Sequence, residues 1–331
     1  MGAEGPSHGW RSGPVARLLT EMEDGAALAL CRIGVVAVLT VSLLSHVGAV
    51  ATYFSDASPV ANNWARHAFP SRWSLFFTVH EPNAVRAVFG VGVLAHLCWM
   101  LGAGTRLASA LALVVWVSMM GRNPLLYGFP DQLGLVMGVL LACMPTGRCW
   151  SVDAWWRRRR GRRGANEGRV PVWCRHLLQL QLAFVYASTG FLKTGRTWRE
   201  EGTAVYFTVN NPLNRHFEIA EWTAALQPWL LRPLTYGVLV WEIAFAGFVV
   251  VWWVRRWRGP GRWRPDLRWL FLGAGLSMHL GIQVLVYVVT FSALMVASYA
   301  CFLEPHEARA LVARVRGVLA RGRGHTAAAG I

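Results

Sequence analysis

The chain has 331 residues, 54% hydrophobic and only 15% charged, which excludes the charge-rich surface that a soluble domain of this length needs. Its formal net charge of +16 would point to nucleic acid in a soluble protein, but the arginines collect in links between apolar runs. Membrane topology accounts for them, and no nucleic-acid partner is expected.

Apolar stretches of ~20 residues match a ~30 Å hydrocarbon core, and they are continuous rather than alternating. The expected fold class is therefore all-α, a polytopic integral membrane helical bundle with about 7–8 transmembrane helices. The expected organisation is a cytoplasmic N-terminal segment over 1–25, a transmembrane domain over 26–305 and a basic cytoplasmic tail over 306–331.

The first apolar run, Ala26 to Phe54, is too long for a signal-peptide core and follows Glu21, Glu23 and Asp24, so it reads as a retained helix. From there to Glu81, Trp64, Trp73 and Phe76 alternate with Arg66, His67 and Arg72, a mixture suited to the headgroup zone. Asn83 to Leu101 and Leu107 to Met120 form an expected hairpin joined by Gly102 to Arg106. A fourth run, Leu125 to Pro145, follows Arg122, Asn123 and Pro124 and holds Asp131 near its start. Arg122 and Asp131 are expected to pair across that helix start or to contact substrate.

The link from Arg148 to Arg169 carries Arg157, Arg158, Arg159, Arg160, Arg162 and Arg163. With the link from Arg255 to Arg268 and the tail beyond Glu304, it is expected to face the cytoplasm at the plasma membrane and to touch anionic membrane lipid. Val172 to Thr194 and Trp229 to Trp253 are the fifth and sixth expected spans. The segment between them, with Glu200, Glu201, Glu218 and Glu221, reads as extracytoplasmic. Leu267 to Leu303 suits two short spans turning near Val286 to Thr290. Cys31, Cys98, Cys143, Cys149, Cys174 and Cys301 lack metal-ligand spacing, so they read as core residues and no metal is expected.

Among the 33 Lys plus Arg, Lys193 is the one lysine. Arginine keeps its proton under essentially all conditions, whereas a desolvated lysine can act as a base. On a 3.6-residue period, His176, Gln179, Ala183, Tyr186, Gly190 and Lys193 fall within one ~100° arc, a polar stripe expected to face the bundle. Lys193 is thus either a candidate base near the outer leaflet or a lysine that snorkels or pairs with a buried acid such as Glu242. His46, His96, His279 and Gln283 are further polar groups in apolar runs, expected to face inward. No inverted repeat of the kind found in transporters is visible.

Several stretches resemble the HTTM (horizontally transferred transmembrane) domain of vitamin K-dependent γ-carboxylases and many bacterial membrane proteins. They are Gly102 to Arg106 (GAGTR), Arg122-Asn123-Pro124 with Tyr127-Gly128 and Asp131, Pro145, Trp150 to Asp153 (WSVD), Val170 to Trp173, and Tyr186 to Gly202 (YASTGFLKTGRTWREEG). His279 to Met295 is similar to the family's late helices. The resemblance implies Lys193 as a catalytic base acting on a reduced quinone such as menaquinol, in a carboxylase-like, lyase or epoxidase-type reaction.

His279, Asn123 and Tyr186 stand as supporting candidates, and Arg122, Asp131, Gln179, Trp198 and Glu242 as candidate substrate contacts. Asn123 stands about where animal carboxylases carry a functional histidine, and their large lumenal domain has no counterpart here. Full γ-carboxylation by this chain alone is therefore not expected. The chain also resembles the sporulation-delaying protein B group, which implies a non-enzymatic alternative: maturation or export of a secreted peptide toxin with a partner protein.

Overall fold

The computed structural model describes residues 20–162, 164, 166–257, 266–288 and 290–328. Most of the expected N-terminal segment, Arg163, the centre of the second basic link, Val289 of the expected late turn and the last three residues lie outside the described residues. Helices dominate: α1 (Ala26–Leu44), α2 (Pro82–Leu101), α3 (Thr105–Arg122), α4 (Phe129–Cys143), α5 (Val152–Arg159), α6 (Val172–Leu192), α7 (Arg232–Trp257), α8 (Arg268–Leu285), α9 (Phe291–Ser298) and α10 (Pro305–Ala328). Two short strands, β1 (Met22–Asp24) and β2 (Arg169–Pro171), pair antiparallel with Glu23 opposite Val170.

Among the described residues, three segments are long and apolar enough to cross a membrane: Ala26–Phe54, Pro82–Leu101 and Ala220–Arg255. Phe129–Cys143 and Phe291–Phe302 are apolar but shorter. Length and hydropathy therefore single out fewer crossings than the seven or eight expected. The polar stripe along α6 and the short lengths of α4 and α9 are the physical reason. The first apolar run is also not one helix, because a 3₁₀ turn over Val47–Ala49 separates α1 from the short helix Val50–Phe54.

The chain divides into two compact units, residues 1–175 with 300–331, and residues 176–299. In the first, α2 and α3 form the expected hairpin and pack along α1 and α4. Glu81 starts α2 by accepting from the Asn83 and Ala84 N–H groups at 3.0 and 2.7 Å, with Pro82 at the first helical position. Gly102 ends it with φ of 71°, the left-handed cap that favours glycine, and a Cβ there would stand 2.4 Å from that of Ser151.

Charges buried in this unit are matched with acceptors, as burial demands. Arg32 donates to the carbonyls of Thr146 and Trp150 at 2.5 and 2.6 Å. Arg175, 1% exposed, grips both Glu23 oxygens at 2.9 and 2.6 Å. Arg309 of α10 likewise pairs with Asp24, so the strand β1 is fastened by both its acids.

In the second unit, α7 packs with α8, and α8 with α9. A π-helical turn over Gln227–Leu231, holding Pro228, leads into α7. Residues 214–216 run beside the end of α8, with the Tyr287 N–H donating to the Asn214 carbonyl and the His216 N–H to that of Leu285.

Candidate functional site

The polar stripe of α6 is a buried face: His176, Gln179, Ala183, Tyr186 and Gly190 are all buried, while Leu180, Phe184 and Phe191 on other faces are exposed. Lys193 follows the last helical residue, and its N–H donates to the Thr189 carbonyl at 3.2 Å. Its Nζ lies 2.5 Å from both oxygens of Glu242 on α7, with side-chain exposures of 21% for the lysine and 8% for the glutamate. The sequence offered Lys193 as a candidate base or as a lysine that snorkels or pairs with a buried acid such as Glu242; the structure brings its Nζ onto Glu242.

The chain then doubles back. The short helix Arg196–Arg199 carries Trp198, whose ring covers Nζ at 4.4 Å, a cation–π contact on top of the ion pair. Arg199 donates to the Lys193 carbonyl at 2.8 Å, closing the exposed end of α6. Glycines make the approach possible. A Cβ on Gly190 would stand 2.8 Å from Ile243 Cγ1 and 3.2 Å from Glu242 Cβ, so α6 and α7 touch here backbone to side chain. Gly202 has φ of 66° and packs against Arg232 and Tyr236 of α7, while the Tyr236 hydroxyl donates to the Glu200 carbonyl at 2.8 Å. The recurrent spacing of Gly190, Lys193, Trp198 and Gly202 is thus the set of contacts that fastens the 193–202 segment onto α7 around one ammonium.

Two turns back along α6, the Tyr186 hydroxyl meets His279 Nε2 at 2.7 Å and the Tyr299 hydroxyl at 2.5 Å. Trp241 and Phe245 close over the Tyr186 ring at 4.7 and 4.6 Å between centroids. His279 Nδ1 and Trp241 Nε1 are buried with no hydrogen-bond partner among the described residues, so the cluster holds two unused polar atoms. Nearer the start of α6, Gln179 accepts from Trp253 Nε1 at 2.7 Å, and the His176 ring meets that indole edge-on. Tyr299, Trp241 and Arg199 were not singled out from sequence. A tyrosine hydroxyl in the apolar run Leu267 to Leu303 was the available signal, since it must find a partner when buried.

Residues 21–306 match the HTTM domain. The chain belongs to the HTTM domain family. No curated protein and no solved structure matches it.

The remaining expected site residues of this HTTM chain lie in the first unit and are engaged there in holding the fold. Arg122 and Asp131 do not form the expected ion pair. Arg122 donates to the Ser55 and Val60 carbonyls, each at 2.9 Å, and Asp131 accepts from the Gly128 N–H at 2.9 Å as a cap of α4. The physical reason is that the loop following the short helix Val50–Phe54 offers the carbonyls of Ser55 and Val60 to the guanidinium, while the start of α4 offers an unpaired N–H to the carboxylate. Asn123 donates to the Tyr53 carbonyl at 3.2 Å.

The GAGTR and WSVD motifs meet one another. Asp153 accepts from the Gly104 and Thr105 N–H groups at 2.8 and 2.9 Å and from the Thr105 hydroxyl at 2.6 Å. Burial pushes the Asp153 carboxyl up, but these donors outweigh it and hold the group below its ordinary range.

Proposed function

We propose that this HTTM chain is a multi-pass protein of the cell membrane, its arginine-rich links cytoplasmic, whose second unit moves a proton on a lipid-borne, quinone-like substrate at Lys193. The observation that carries this reading is the pairing of the one lysine with a carboxylate only 8% exposed. As ammonium and carboxylate the couple has no net charge, and after the proton passes to Glu242 it still has none. Apolar surroundings penalise a lone ion far more than such a couple. Glu242 therefore gives Lys193 a route to the amine form, and Nζ would then take the proton of a quinol hydroxyl.

The surroundings fit such a substrate. Lys193 keeps 21% of its side chain exposed, and the neighbouring Phe191 and Leu192 present apolar surface outward, as a lipid-borne ring would require. Trp198 adds an aromatic face at the same atom. The Tyr186 cluster fixes the α6 face roughly 10 Å along the helix, seven residues away at about 1.5 Å each. A second reading, a non-enzymatic factor that handles a secreted peptide with a partner protein, is favoured by one feature. Both carboxylate oxygens and the indole already occupy the ammonium, the geometry of a clamp.

Anaerobic titration of menaquinol into the purified protein in nanodiscs, read by the absorbance of the quinolate anion, separates the two. The wild type is expected to produce the anion and Lys193→Arg to lose it, because arginine keeps the charge and the clamp but cannot serve as a base. Equal quinolate from Lys193→Arg, or none from the wild type, overturns the proton-transfer reading. A secreted peptide that co-purifies equally with both proteins would then support the clamp.

A further inference from the structure

In the first unit, a cavity of about 450 Å³ opens beside the junction of the GAGTR and WSVD motifs. Arg106, Arg148, Arg157 and Arg162 line it, against two acids, Asp153 and Glu167. Both acids are already spoken for: Asp153 holds the start of α3, and Glu167 pairs with Arg158. Of the arginines, Arg157 donates to the Gly147 carbonyl and Arg148 to that of Arg169. Arg106 and Arg162 are exposed, and neither forms an ion pair among the described residues. The cavity thus carries excess positive charge with two guanidinium groups uncommitted, the donor set that recognises phosphate oxygens.

Part of the lining is apolar. It comes from Ala142, Met144 and Pro145 at the end of the apolar helix α4. On α5, which also supplies Asp153 and Arg157, Trp155 and Trp156 are exposed, with Arg159 and Arg160 over their rings at 4.5 and 4.7 Å. Exposed indoles of this kind seek the headgroup level of a bilayer. A free phosphate would use the arginines but would have no use for apolar lining at the end of an apolar helix. A phospholipid would use both.

We infer that this cavity is a binding site for the phosphodiester headgroup of an anionic phospholipid, held by Arg106 and Arg162 with its acyl chains directed along α4. The site is separate from Lys193 and does not depend on the reaction proposed there.

The test is titration of phosphatidylglycerol into the detergent-purified chain, with retained lipid counted by native mass spectrometry. The Arg106→Gln/Arg162→Gln double variant should bind about 30-fold more weakly, from two contacts that each contribute about five- to six-fold. The control double variant Arg314→Gln/Arg316→Gln removes the same charge from exposed positions of α10 outside the cavity and should bind as the wild type does. Thermal melts of both variants establish that they fold. An equal loss in the control, or equal retention of phosphatidylcholine, overturns a built site in favour of diffuse surface charge. Full displacement of the lipid by millimolar inorganic phosphate overturns the lipid assignment in favour of a soluble phosphate.

Discussion

The clamp at Lys193 makes a quantitative prediction. Lys193→Met leaves the Glu242 carboxylate, 8% exposed, without its counter-charge, and stranding a buried partner costs about 3 kcal/mol. Glu242→Leu strands an ammonium that is 21% exposed and can recruit some water, so its cost is smaller, about 2 kcal/mol. In the double variant Lys193→Met/Glu242→Leu both charges are gone and two apolar side chains meet. The expected loss is about 2 kcal/mol rather than the sum of about 5, a coupling of about 3 kcal/mol, at the upper end for a directly contacting pair.

The assay is unfolding of all four proteins by SDS in mixed micelles, followed by tryptophan fluorescence. If the double variant loses the full sum within about 0.5 kcal/mol, Lys193 and Glu242 do not act on one another and the argument for a shared proton fails with them.

Gly190→Ala is expected to destabilise by about 1–3 kcal/mol, because its Cβ would press on Ile243 and Glu242, and to lower the SDS midpoint. Tyr186→Phe removes hydrogen bonds of 2.7 and 2.5 Å inside a buried cluster and should cost about 1–3 kcal/mol; an unchanged melt would mean that the hydroxyl is idle. Arg175→Lys should lower the melting temperature although charge is conserved, since an ammonium cannot reproduce the two-pronged grip on Glu23.

The Asp153 carboxyl lies below its ordinary range in the folded chain, so its stabilisation is fully present above the unfolded value near ~3.9 and is lost as pH falls through the lower folded value. Asp153→Asn should therefore cost about 1 kcal/mol at pH 7, and the gap between the two melting curves should narrow as pH falls below the unfolded value near ~3.9.

Periodicity and composition alone were enough for the helical class, the α2–α3 hairpin with its glycine turn, and the buried stripe of α6. Each rests on local rules: an apolar run is helical because lipid leaves its backbone no other partner, and the side-chain period follows from 3.6 residues per turn. The HTTM motifs were likewise visible as a linear pattern.

What the pattern is for became visible only in three dimensions. Glu242 lies 49 residues from Lys193, and Tyr299 lies 113 from Tyr186; no local spacing links such pairs, because helix packing chooses them. Arg122 is the instructive failure. Its nearest acid in sequence is Asp131, yet it bonds the carbonyls of Ser55 and Val60, because away from water a backbone carbonyl with a free lone pair competes for a buried guanidinium as effectively as a carboxylate already engaged at a helix start.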